Sequence, residues 1–164
     1  MIEPTPLASS PDTLTIRDVA GDDMDAVMAI MGAAFEPTYG EAWTRSQCAG
    51  ILPMAGVSLR LAVGADDRVA GFALMRAIVD EAELLLIAVD PAAQQRGVGT
   101  ALLDDFVQFA TARGARRLHL EVRDGNSAIL LYERAGFSLA GVRRDYYRGH
   151  DGRTRDALTL ALQL

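Results

Sequence analysis

Residues 84–100 read LLLIAVDPAAQQRGVGT, and the fold turns on how that string is parsed. Leu84–Val89 is an unbroken apolar run that ends at Asp90-Pro91, and Gln94-Gln95-Arg96-Gly97-Val98-Gly99 opens a helical pattern. A buried strand, a glycine-bearing turn and a helix start therefore follow one another. The near-continuous leucines imply cover on both faces of the strand. At a helix start the first N–H groups have no intrahelical partner, and the macrodipole adds about half a positive charge. Glycine has no Cβ to hold a ligand off the backbone. Such a turn suits a pyrophosphate. The spacing excludes the dinucleotide fingerprint, which needs a third glycine, and the P-loop, which needs Gly-Lys-Ser/Thr. For the two glycines alone, a tight turn with no ligand is the plain alternative.

On the N-terminal side, Leu14–Ala20 alternates as a first strand. Asp22 or Asp23 is placed to cap a helix whose apolar face is Met24, Val27, Met28, Met31 and Phe35, and Pro37 and Gly40 end it. Ala42–Leu52 reads as a second short helix that ends near Pro53, with Trp43 packed. Ser58–Gly64 and Val69–Ala77 form a hairpin around Gly64-Ala65-Asp66-Asp67, and Glu83–Asp90 is the central strand.

On the C-terminal side, a helix from Gly97 to Arg113 carries Val98, Leu102, Phe106 and Phe109 on one stripe and stops at Gly114. Arg116–Arg123 alternates: Leu118, Leu120 and Val122 on one face, His119, Glu121 and Arg123 on the other. Asp124-Gly125-Asn126 is a turn, with Asn126 or Ser127 capping a helix that carries Ala128, Leu131, Tyr132 and Ala135. Phe137–Tyr147 and Thr154–Leu164 form a closing hairpin around residues 149–152. The whole is an α/β mixed sheet of about seven strands with four helices. It forms a single domain over 13–164 behind a flexible Pro/Ser-rich tail, 1–12.

Composition narrows the function classes. The 164 residues are 50% hydrophobic and carry a net charge of −6. That balance argues against nucleic acid and is compatible with a cationic partner. No apolar run approaches the roughly 20 residues of a membrane span, and the N-terminus has no signal-peptide pattern. One cysteine, Cys48, excludes an internal disulfide and offers no metal cluster; it reads as a small buried hydrophobe. His119 and His150 lack a metal-ligand pattern. A cytoplasmic protein without membrane or metal is expected, a monomer or a weak homodimer through an exposed final-strand edge.

The string from Val89 to Gly99 resembles motif A of the GNAT N-acetyltransferases, Q/R-x-x-G-x-G/A after a strand ending in V-D-P, matched by Gln94, Gly97 and Gly99. Glu121–Phe137, EVRDGNSAILLYERAGF, resembles motif B. Arg143–Leu162, RRDYYRGHDGRTRDALTLAL, is similar to the ending of one branch, the RimI-type ribosomal-protein alanine acetyltransferases. The resemblance is strong from about Asp80 to Leu162 and weak over residues 1 to 57. It implies acetyl-CoA as co-substrate, held by Gln94, Gln95, Arg96, Gly97, Val98, Gly99 and Thr100, with Asn126 at a position that contacts coenzyme A. It also implies direct acetyl transfer in a ternary complex to an N-terminal α-amine, that of a ribosomal protein in this branch, with Phe35–Trp43 bordering the acceptor, packing being the alternative for Trp43. A small-amine acetyltransferase of the same fold and a non-catalytic acyl-CoA-binding module are the alternatives.

The amine must be neutral to attack a thioester. An α-amine titrates at about 7.7–8.0 and a lysine at about 10.4. A carboxylate base therefore suffices for an α-amine. The resemblance assigns that role to Glu121, with pairing to Arg123 or another arginine as the structural alternative and Glu83 as a competing carboxylate. It assigns Tyr132 as the acid that meets the leaving thiolate. A backbone N–H around Ile87, Ala88 and Val89 is placed to hold the oxyanion and the pantetheine arm. Asn126 and Tyr132 stand six apart where the family usually has seven, so Asn126 can also serve as the helix cap alone.

Overall fold

A computed structural model describes residues 13–164. The expected tail, 1–12, lies outside the described residues. Seven strands and four α-helices follow in order among these residues: β1 (Thr15–Asp18), α1 (Met24–Ala34), α2 (Arg45–Ile51), β2 (Val57–Val63), β3 (Val69–Ile78), β4 (Glu81–Val89), α3 (Val98–Ala112), β5 (Arg117–Arg123), α4 (Ile129–Arg134), β6 (Ser138–Arg148) and β7 (Thr154–Gln163). They build one mixed sheet in the order β1-β2-β3-β4-β5-β7-β6. β4 and β5 pair in parallel; every other pair is antiparallel.

The sheet has a core on each face. α3 and α4 cover one with Leu102, Leu103, Phe106 and Leu118 at its centre. α1 and α2 cover the other around Val27, Met31, Leu61 and Phe72. β4 serves both. Leu74 pairs with Leu86 but Met75 pairs with Leu84, so Leu85 is an extra residue in a β-bulge. Ahead of it Ala82 and Leu84 face α3; beyond it Leu86 and Ala88 face α1. A regular strand would keep Leu84 and Leu86 on one face.

In the layout of the elements, several sequence expectations change. β4 starts at Glu81 rather than Glu83, because Val79-Asp80 make a tight turn from β3. Asp23 occupies the cap position of α1, but its carboxylate turns back to Arg17 at 2.6 Å and to the Ala20 amide at 2.8 Å, so it caps nothing. α2 begins three residues later than expected, where Thr44 and Gln47 form a reciprocal capping box. The final strand is not the edge: β7 lies between β5 and β6, and β6 is outermost.

Candidate active site

The site exists because two strands separate. β4 and β5 pair from Glu81–Arg117 to Leu84–Leu120 and then part. From Leu85 on, β4 keeps β3 on one side while its other edge faces a cleft of about 930 Å³. Ile87, Ala88 and Val89 line the cleft, as do Gln94, Gln95, Gly97, Val98, Gly99 and Thr100 at the start of α3. Asn126 and Tyr132 close that side. Arg96 is the exception among the expected cofactor residues. It lines a second, smaller cavity with Asp90 and Arg68 and does not line the cleft.

The two glycines of the turn do different work. Gly97 sits at φ +82° as the N-cap of α3, a left-handed conformation that only glycine adopts without strain. Gly99 has no such requirement. A Cβ there would stand 3.2 Å from Leu131 Cδ2 and 3.7 Å from Val89 Cγ2, so its lack of a side chain lets α3 close on α4 and β4. Asp90 shapes the approach by accepting from the Ala92 amide at 3.0 Å.

Glu121 lies on β5 one residue past the last β4–β5 pair and lines the cleft. Its carboxylate meets Arg143 Nε of β6 at 3.5 Å, not Arg123. Tyr132 comes from α4, is 5% exposed and meets Phe137 edge-on. Burial pushes its hydroxyl well above the usual tyrosine range, so it stays protonated. The Asn126 side chain accepts from the Ala128 amide at 2.9 Å in the turn before α4, but the cap position is Ala128, not Asn126 or Ser127 as expected, and no side chain caps this helix.

The opposite wall draws on the Phe35–Trp43 stretch, of which Phe35, Tyr39, Gly40, Glu41 and Trp43 line the cleft; its pairings and the β6 residues were not read from the sequence. Glu41, from the loop before α2, pairs with Arg123 of β5 at 2.7 Å, with both side chains about 15% exposed. The Arg123 guanidinium also lies 4.4 Å over the Tyr39 ring. Tyr147 of β6 completes this wall; burial, then the charges of Glu121 and Glu41, push its hydroxyl up to about 12. The His150 amide donates to Thr38 O at 3.2 Å, joining the β6–β7 turn to the same loop. None of these contacts is local, so no spacing announces them. The adjacent Tyr146-Tyr147 pair was the available signal.

Among the described residues no group of three His, Cys, Asp or Glu is placed to hold a metal, and no helix is long and apolar enough to cross a membrane.

Residues 24–137 match the model of the acetyltransferase (GNAT) family. The [ribosomal protein bS18]-alanine N-acetyltransferase of Salmonella typhimurium is 46% identical over 110 residues, which cover 65% of this chain and 72% of that protein. The crystal structure of the ribosomal-protein-S18-alanine N-acetyltransferase from Escherichia coli superimposes with a TM-score of 0.81 at 34% identity, covering 92% of this chain and 94% of that one. A GNAT phosphinothricin acetyltransferase from Sinorhizobium meliloti, solved in complex with AcCoA, shares the fold with a TM-score of 0.79 at 23% identity, over 93% of this chain and 89% of that one.

Proposed function

The chain belongs to the GNAT acetyltransferase family, and from that premise we propose that it acetylates the N-terminal α-amine of a protein, with acetyl-CoA as donor. The likeness to alanine acetyltransferases of ribosomal protein bS18 supports a ribosomal protein as the acceptor and the cytoplasm as the place of work. The observation that carries the reading is the single cleft lined by Glu121, Tyr132 and the opening residues of α3.

In this reading the first amides of α3 and the Gly97 turn hold the pyrophosphate of acetyl-CoA. The exposed edge of β4 at Ile87–Val89 takes the pantetheine arm and donates to the carbonyl oxygen as it gains charge. Glu121 removes the proton from the incoming ammonium. At pH 7 about a tenth of an α-amine is already neutral, so this step is small. The freed nitrogen attacks the thioester carbon, the C–S bond breaks, and the nitrogen sheds its second proton to solvent as it becomes the amide. Tyr132 faces the departing sulfur. A thiol titrates at about 8.5, below a tyrosine raised by burial. Tyr132 therefore stabilises the thiolate chiefly as a hydrogen-bond donor, and solvent completes its protonation. Cys48, on α2, is buried in the core that α2 shares with α1 and does not line the cleft, which suits direct transfer without a covalent enzyme intermediate.

The test is acetyl transfer to a peptide with a free N-terminal alanine, to an N-blocked lysine peptide and to a polyamine, with the acetylated atom located by mass spectrometry. The expected product is Nα-acetyl-alanine. Preferential turnover of the lysine or the polyamine overturns the proposal.

A further inference from the structure

Three carboxylates face the acceptor side of the cleft, and their partners differ. Glu41 is committed to Arg123. Glu121 is the base of the proposed reaction. Glu83 has no part in either. It lines the cleft with a side chain 30% exposed. Its Oε2 lies 3.3 Å from Arg76 Nη2. Its Oε1 lies 4.0 Å from His119 Nε2, outside hydrogen-bonding distance.

These side chains form a row across the sheet. Arg76 pairs with Glu83 in the β3–β4 register, and Glu83 pairs with His119 in the β4–β5 register. His119 does not line the cleft, and its Nδ1 is buried without a hydrogen-bond partner among the described residues. Arg76 and His119 thus flank Glu83, and Glu83 is the member that meets the cleft. A carboxylate accepts and cannot donate, so one with an open oxygen there calls for a donor, most strongly a cation.

Geometry says which cation. Glu83 sits just before the last β4–β5 pair and Glu121 just after it, on neighbouring strands. That diagonal separates their Cα atoms by about 8 Å. With Glu121 given to the reacting amine, Glu83 is left for a second positive charge, and one diagonal step along the acceptor matches a side chain on the next residue.

Resting on the reading of this chain as an N-terminal acetyltransferase, we propose that Glu83 is a specificity residue for the acceptor. It binds the cationic side chain, arginine or lysine, that follows the acetylated residue. Arg76 is a positioning residue that bonds its carboxylate, and His119 is one that flanks it on the other side.

The experiment compares full-length wild type, Glu83→Gln, Glu83→Arg and His119→Asn on peptides that begin Ala-Arg, Ala-Ala and Ala-Glu and are otherwise identical, with a linear diamine alongside. Wild type is expected to show a KM about tenfold lower for Ala-Arg than for Ala-Ala, the size of a partly desolvated charge pair. Glu83→Gln should close that gap to within about twofold, and Glu83→Arg should turn the preference toward Ala-Glu. His119→Asn should narrow the gap in KM without a matching fall in kcat. Equal KM for the wild type on all three peptides overturns the inference and leaves the N-terminal reading standing. So does a gap that survives in Glu83→Gln. Turnover of the diamine above every peptide overturns both.

Discussion

At the scale of single residues, the two catalytic assignments predict different failures. Glu121→Gln removes a base that matters most while the amine is charged. Its kcat/KM should fall by about a hundredfold or more below pH 8 and recover part of that loss above it; a profile that tracks wild type excludes Glu121. Tyr132→Phe leaves the pH profile in place, keeps acetyl-CoA affinity and lowers kcat, read by pairing direct binding measurements with turnover. Tyr147 makes a prediction about stability. It titrates at 10.0 when free and is pushed up to about 12 in the folded protein, first by burial and then by Glu121 and Glu41. Its raised value means that the folded state holds the proton longer. The stability linked to it is therefore whole below pH 10 and lost as pH rises toward about 12. Urea midpoints measured across that window should fall less steeply in Tyr147→Phe. The placement of Glu121 on a strand and Tyr132 on a helix was legible in the sequence, because each sits in a short motif with clear apolar spacing. The pairing of Glu41 with Arg123 was not, since 82 positions separate the two.

Among the elements, α3 has the start that sequence describes best and explains least well. Its glycines were read together as room for a ligand. Gly97 is needed for its left-handed backbone, whereas Gly99 is needed because Leu131 and Val89 stand where its side chain would be. Gly99→Val should therefore act twice: crowding the turn weakens acetyl-CoA binding, and pushing α4 away moves Tyr132. The expected result is a large loss of acetyl-CoA affinity in calorimetry with a smaller loss of thermal stability, about 1–3 kcal/mol as for other overpacked sites. Unchanged affinity removes the start of α3 from the binding site. The bulge in β4 was beyond sequence reading for a physical reason. Leu84, Leu85 and Leu86 are chemically alike, so nothing in their order marks which one falls out of register. The resulting change of face still decides where the cleft opens, since pairing to β5 ends at Leu84.

For the molecule as a whole, the apolar patterns specify the two cores while polar pairs choose how the layers meet. Strand order shows the limit of pattern. β6 and β7 read correctly as a hairpin, yet alternation alone does not say which of them lies against β5. Between layers, Arg60 of β2 grips Asp105 of α3 through two bonds, at 2.9 and 3.0 Å, and reaches Asp18 of β1 at 2.9 Å. The Arg60 and Asp105 side chains are 24% and 15% exposed, whereas Asp18 is 70% exposed. This asymmetry makes the two ends of the pair unequal. Arg60→Leu strands Asp105 in a place where an unpaired carboxylate is costly, and should destabilise by about 2–3 kcal/mol. Asp105→Leu leaves Arg60 with Asp18 and partial solvent, and should cost about 1 kcal/mol. In the double variant the stranded charge is gone, so its loss should fall well short of the sum of the two singles. Urea unfolding of the four proteins measures that difference. Strict additivity would mean that Arg60 and Asp105 do not act on each other, and that apolar packing alone holds α3 over the sheet.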